Sequence, residues 1–332
     1  MKTLLLVENE IKQLLSMDEV IDAVELVFKE KALKHVQMPS KLYLFYKKYN
    51  GDLRVMPSYI ESLDISAVKI VNAHPDNNVN YGLPTVMAII ALIDPKNGFP
   101  IALMSGAWIT AIRTGAAGGI AAKYLARKDS SIIAFIGSGT QARTQLMALI
   151  EVYKKLKEVR VYDKSEKAMD KFINEIKPIY SEKIEKIVKA NRIEEAVKGS
   201  DIIVTATPSR NPLVMNEWID KGMHINCIGA DAPGKQELDP AILKRSKIVI
   251  DDWDQASHSG EINVPLAKGI ISKEDIWAEI GEICAGLKQG RISNQEITVF
   301  SSTGLAIQDA ITAELVYKKA LEKNVGKFIE LF

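Results

Sequence analysis

Apolar positions at Val20, Ala23, Val24 and Val27 recur at the three-and-four spacing of a helix, and Ser16-Met17-Asp18-Glu19 opens it with a capping-box pattern. From residue 41 to 105 the period changes. Short β-rich runs at 42–46, 53–56, 67–71, 86–93 and 101–104 are separated by turn signals such as Asn50-Gly51 and Pro75-Asp76-Asn77-Asn78, which predicts a mixed or antiparallel sheet. A helix over 108–125 follows. Its run Gly115-Ala116-Ala117-Gly118-Gly119 implies close approach of another backbone or a ligand.

Beyond it, near-continuous apolar strands at 132–136, 159–162, 202–205, 224–228, 248–250 and 297–301 alternate with helices, among them one to about 153 and one from about 165. Strands apolar on both faces and separated by helices imply a parallel sheet covered on both sides. A last helix, about 304–322, packs back on the first domain. The expected class is α/β: a Rossmann-type doubly wound parallel sheet over 114–303, plus an α+β substrate and dimerisation domain formed by 1–113 with 304–332.

The first of these strands runs into Gly137-Ser138-Gly139-Thr140-Gln141-Ala142, a G-x-G-x-x-A turn that opens a helix, and Asp163 closes the next strand 21 residues past Ala142. Strand, turn, helix and delayed acid together form the dinucleotide-binding fingerprint. Gly137 serves the tight turn, Gly139 lets backbone amides reach a pyrophosphate, and Ala142 allows close helix packing. The Asp163 carboxylate suits ribose hydroxyls and repels a 2′-phosphate, so NAD is expected over NADP, although Lys164 and Lys167 stand nearby. Later strand ends at Ala206-Thr207 and at Ile228-Gly229-Ala230-Asp231 are placed to line a nicotinamide site.

Composition narrows the partners. The chain has 332 residues, 47% hydrophobic and 26% charged, with a formal net charge of +1. That balance supplies no electrostatic case for nucleic acid or an anionic membrane. The two cysteines, Cys227 and Cys284, form no disulfide framework or metal set, and the apolar run Leu4-Leu5-Leu6-Val7 is short for a secretory signal, so a cytoplasmic protein is expected.

Candidate chemistry rests on basic residues of the first domain: Lys41, Arg54, Lys69 and Arg113. Two or three converging cations make a carboxylate clamp, with arginine able to bind bidentately. The competing reading makes Lys69 a solvated strand residue and Arg113 a structural ion pair. Asp231, at a strand end after Gly229-Ala230, is a candidate general acid/base, although such an acid taken alone is more often a helix cap. His74 and His258 read as structural, Asp251, Asp252 and Asp254 as a solvated acidic turn, and no spacing suggests a metal.

Six ordered blocks carry a resemblance over nearly the whole chain: Arg54-Val55-Met56-Pro57-Ser58, Lys69-Ile70-Val71-Asn72-Ala73-His74-Pro75, Thr110-Ala111-Ile112-Arg113-Thr114-Gly115-Ala116, the glycine turn, Ile228-Gly229-Ala230-Asp231 and Ser301-Ser302-Thr303-Gly304. The chain resembles the ornithine cyclodeaminase/μ-crystallin family and, within it, the archaeal alanine dehydrogenases. The resemblance implies a homodimer joined through the first-domain sheets. It implies that Lys69 and Arg113 hold a substrate carboxylate, that Asp231 is the acid/base, and that Arg113, Thr114 and Ser302-Thr303-Gly304 approach the cofactor. Ornithine cyclodeaminases carry a glutamate serving the diamine where this chain has Arg54, which favours a short substrate. Where Lys41 stands, the family often has arginine. The implied reaction is NAD-dependent deamination of L-alanine to pyruvate and ammonia, with Asp231 and Lys69 as the catalytic residues that manage the protons. The alternatives are cyclisation of ornithine to proline, reduction of a cyclic imine, or a crystallin-like protein that binds nucleotide without turnover.

Overall fold

The computed structural model describes all 332 residues, in two compact units: Met1–Arg113 with Leu305–Phe332, and Thr114–Gly304. The small-residue helix, Ala107–Leu125, runs through the chain position that separates them. No helix is long and apolar enough to cross a membrane.

The first unit is built on strands β1 (Thr3–Leu6), β2 (Val36–Gln37), β3 (Leu42–Tyr46), β4 (Gly51–Ile60), β5 (Ile65–Ala73), β6 (Val86–Ile93) and β7 (Pro100–Ser105). The C-terminal strand Lys327–Ile329 completes the sheet, which runs from it through β1, β7, β6, β5 and β4 to β2, with β3 also on β4. Pairing is antiparallel except for β1 with β7. The apolar run Thr3–Leu6 is therefore a sheet strand, and helix Glu8–Leu14 precedes the one capped at Ser16. The Glu19 carboxylate accepts from the Ser16 amide, as its capping pattern requires.

Cross-strand register sorts the two faces. Met56, Lys69, Ile90 and Met104 are successive partners on the face packed by the C-terminal helix Ala306–Lys323. Leu42, Val55, Ile70 and Ile89 form a row on the other face, where Leu42 is 56% and Ile89 56% exposed.

The second unit contains β8 (Ile132–Ile136), β9 (Leu156–Tyr162), β10 (Ile184–Lys189), β11 (Ile202–Thr205), β12 (His224–Cys227), β13 (Lys247–Ile250), β14 (Ile276–Glu279) and β15 (Thr298–Ser301). All are parallel, in the order β10-β9-β8-β11-β12-β15-β13-β14. The direction of winding reverses between β8 and β11, the switch point of a doubly wound sheet. Alternate residues of one strand enter different cores. Ile133 and Phe135 join Val159, Phe172 and Val204, while Ala134 and Ile136 join Ile203, Ile225 and Val299. Two buried faces explain the continuous apolar runs, and each fully buried Ile or Phe stabilises by about 1.5–3 kcal/mol. The two strands without a sequence expectation, β10 and β14, are the edges of this sheet, and β10 carries a glutamate and two lysines among its six residues.

Candidate active site

In the first unit, strand alternation sets Lys69 on the helix-packed face together with Ala67 and Val71, leaving it 1% exposed while Ile70 is turned outward. This overturns the solvated-strand reading of Lys69. A buried ammonium needs a partner, and a residue absent from the sequence expectations supplies it. Asp309, on the C-terminal helix, places Oδ2 2.6 Å from Lys69 Nζ, and its Oδ1 accepts from Arg113 Nε at 2.9 Å. Arg113 Nη1 also donates to Gln308 Oε1 at 3.0 Å, and that oxygen accepts from the Leu305 amide at 2.8 Å. Gln308 Nε2 is buried with no protein acceptor.

Two cations thus share one carboxylate. Burial first, then the Arg113 charge, push the Lys69 ammonium down to about 7, against the pull of Asp309; Lys41 adds to the repulsion. Arg54 is engaged elsewhere: its guanidinium grips both oxygens of Asp52, at 2.9 and 3.0 Å, and lies 5.4 Å from the Tyr43 ring centre. The structure therefore brings Lys69 and Arg113 together, keeps Lys41 within electrostatic range, and gives Arg54 a different partner. His74 stacks on Tyr46, and His258 bonds the Asp254 carbonyl at a helix end.

In the second unit the sequence motifs fall on the carboxyl ends of five neighbouring strands. Asp163 follows β9, Gly137–Ala142 follow β8, Ala206 and Thr207 follow β11, Ile228–Asp231 follow β12, and Ser302–Gly304 follow β15. Gly137 has φ +98°, and a Cβ there would strike the Ala206 carbonyl. A Cβ on Gly139 would meet nothing, so the backbone at the start of helix Thr140–Tyr153 is open on that side. Asp163 Oδ2 accepts from the Ser138 amide and hydroxyl, both at 2.9 Å, and Oδ1 from the Ser165 amide at 2.9 Å. Lys164 and Lys167 are exposed, and Ala142 is buried against the sheet. The Thr114 carbonyl accepts from Gln145 at 2.8 Å. Ser302 Oγ is buried without a protein partner. A glycine cradle, an open helix start, a strand-end carboxylate and an orphaned hydroxyl fit a dinucleotide.

Asp231 is half-exposed, with Oδ1 2.5 Å from Lys235 Nζ. The acidic-turn reading of Asp251 is corrected: it is 1% exposed, and its carboxylate accepts from the Thr303 amide at 2.6 Å and the Gly304 amide at 2.8 Å, fixing the segment after β15. Asp252 caps helix Trp253–Ser259. Two further buried acids had no sequence signal. Burial pushes Glu237 up, opposed by hydrogen bonds from Thr207 and Gly229; burial and then the Glu237 charge push Glu261 well above the usual carboxylate range. No grouping of His, Cys, Asp and Glu is suited to a metal ion.

Comparison with known proteins supplies independent findings. The model of the ornithine cyclodeaminase/mu-crystallin family matches residues 1–324. The alanine dehydrogenase of Archaeoglobus fulgidus is 53% identical over 332 residues, covering 100% of this chain and 99% of its own length. A solved archaeal alanine dehydrogenase dimer with bound NAD superposes with a TM-score of 0.93 at 52% identity, covering 100% of both chains. The Thermococcus litoralis Δ1-pyrroline-2-carboxylate reductase in complex with NADH and L-proline has a TM-score of 0.94 at 45% identity, covering 98% of this chain and 100% of the other.

Proposed function

The chain belongs to the ornithine cyclodeaminase/mu-crystallin family, and from that premise we propose that it is an NAD-dependent amino-acid dehydrogenase that deaminates L-alanine reversibly. The observation that carries the reading is the pair of buried cations on Asp309: with Lys69 protonated the group bears a surplus positive charge, which a small carboxylate offsets. Gly137–Ala142 and Asp163, with the ends of β11, β12 and β15, would hold the dinucleotide. Bound NAD supplies the hydride acceptor for deamination and the hydride donor for the reverse reaction.

The residues divide the remaining work. Lys69 and Arg113 hold the substrate carboxylate and so fix Cα. Asp231 takes the amine proton as the C–N bond becomes an imine, and returns protons as water adds and ammonia leaves. L-alanine, NAD⁺ and water give pyruvate, ammonium, NADH and one proton. Arg54, held by Asp52, stands where ornithine cyclodeaminases carry a glutamate serving the diamine, which favours a short substrate side chain. Cytoplasmic placement belongs to the same reading.

A homodimer is part of the proposal. The row Leu42, Val55, Ile70 and Ile89 offers a continuous apolar strip whose occupant we take to be a second copy of the chain. Sedimentation showing only monomer at micromolar concentration would contradict it.

A second reading, reduction of a cyclic imine, is favoured by the likeness to the reductase complexed with NADH and L-proline. The deciding experiment follows NADH absorbance with the purified protein. It compares L-alanine with NAD, pyruvate and ammonia with NADH, Δ1-pyrroline-2-carboxylate with NADH, and L-ornithine. The highest kcat/KM is expected for the alanine and pyruvate pair. A higher value for the cyclic imine replaces the first reading with the second, and binding without turnover of any of them removes both.

A further inference from the structure

Three chain segments stack at the carboxyl ends of β8, β11 and β12, and one buried carboxylate ties two of them together. Glu237 Oε1 accepts from the Thr207 amide at 2.8 Å and from the Thr207 hydroxyl at 2.7 Å; Oε2 accepts from the Gly229 amide at 3.0 Å. There is no slack in the stack. A Cβ on Gly229 would collide with the Thr207 backbone and with the Glu237 carboxylate, and a Cβ on Gly137 would collide with the Ala206 carbonyl.

Glu237 is itself held from behind. Its amide donates to both oxygens of Glu261 at 3.0 Å, and the Leu238 amide donates to Glu261 Oε1 at 2.7 Å. The Glu261 amide in turn donates to Ser301 Oγ, at the end of β15, at 2.9 Å. A chain of bonds thus runs from β15 through two fully buried acids to the turns after β11 and β12. Burying a carboxylate is costly unless donors fill its oxygens. Here the donors come from the two turns that the sequence places at a nicotinamide site, so the cost is met by fixing those turns relative to each other.

We propose that Glu237 is a positioning residue for the nicotinamide half of the dinucleotide, setting the spacing between Ala206-Thr207 and Ile228-Gly229-Ala230 before the cofactor arrives. The proposal rests on the NAD-binding reading given above. It distinguishes Glu237 from a residue that merely stabilises the fold, because the effect of its loss is confined to one half of one ligand.

The test uses the full chain, with Glu237→Gln as the isosteric variant that puts an amide donor against a backbone donor, and Thr207→Val as a milder variant that keeps the Thr207 amide bond to Glu237 but removes the hydroxyl, which also accepts from the Ser209 amide at 3.2 Å. NADH and ADP-ribose, which lacks the nicotinamide, are titrated against each, and amide hydrogen exchange is followed without ligand. In Glu237→Gln the turns at 206–207 and 228–230 are expected to exchange faster while 137–142 keeps wild-type protection. NADH is expected to bind roughly tenfold more weakly, with ADP-ribose affinity unchanged. Thr207→Val is expected to shift both readouts in the same direction by less, and it decides the matter if Glu237→Gln does not fold. Equal weakening of NADH and ADP-ribose, or wild-type exchange and affinity in both variants, overturns the proposal alone. Wild-type protein that binds neither nucleotide overturns the NAD reading and this proposal with it.

Discussion

Asp309 and Glu237 are both buried carboxylates, one in each unit, but Asp309 is filled by side-chain cations and Glu237 by backbone amides and a hydroxyl. The consequences differ in sign. Lys69 and Arg113 together outweigh Asp309, so their cluster keeps positive charge and gains from an incoming anion. The donors around Glu237 are neutral, so that cluster offers an anion no surplus positive charge and gains rigidity instead. The first arrangement readies groups for a ligand; the second holds backbone in place. Rising pH discharges the first, by taking the proton from Lys69, and charges the second.

The largest expected effects lie with Lys69 of the first cluster and with Asp231, the proposed acid/base. Lys69→Ala should lose turnover while NADH affinity stays near wild type, and Asp231→Asn should keep its fold but lower kcat by ~10²–10⁴-fold, the scale of a positioned acid/base. Steady-state kinetics and NADH titration on both variants check this. Near-wild-type turnover in either removes that residue from the mechanism.

Next comes the charge balance itself. Binding of a simple carboxylate such as propionate should be tightest where Lys69 is protonated and weaken as pH rises past about 7. Asp309 favours the protonated lysine, so Asp309→Asn should move that fall to lower pH. An unchanged midpoint in a pH series of carboxylate titrations would break the contrast drawn here.

Cofactor choice should respond more modestly. NADH is expected to bind more tightly than NADPH, and Asp163→Ala to narrow the gap. Equal affinities in the unmutated protein would contradict the role given to Asp163.

The smallest effect concerns stability. A carboxyl whose pKa is raised by folding contributes stability below its unfolded value, near 4.5, and loses it as pH rises through the folded value. Wild-type protein should therefore lose melting temperature relative to Glu261→Gln as pH rises from 4.5. About 2–4 °C is the shift that 1 kcal/mol makes in a domain this size. Lys69 sharpens the comparison with the opposite slope. Its folded pKa is depressed to about 7 from 10.5, so wild type should gain on Lys69→Met between those values. Parallel melting curves against pH for all three proteins would refute both assignments.

Much of the fold was legible because its signals are local. The strands Leu42–Tyr46, Val86–Ile93, Ile132–Ile136 and Ile202–Thr205 have the bounds that their apolar runs and flanking turns indicate. The edge strand Ile184–Lys189 was not legible, because the charges that keep an edge soluble erase the strand signature, and Ile276–Glu279 was not, because four residues are too few to show a period. Asp251 was misread for a related reason: three acids within four residues look solvated, and only the return of the chain at Thr303 and Gly304 turns one of them into a buried acceptor.

By itself, the sequence determined the parallel second unit, the mixed first sheet and the glycine turn with its delayed acid. Each of these is written in consecutive residues, as a period, a punctuation or a required positive φ. Tertiary structure alone decided that Lys69 is buried, that Asp309 holds both it and Arg113, and that Glu237 reaches Thr207 and Gly229. Arg113 and Asp309 are 196 positions apart, and Thr207 and Glu237 are 30 apart. A lone lysine or acid has no pattern of its own, and its partner is chosen by the sheet register and helix packing that bring distant residues within hydrogen-bond reach.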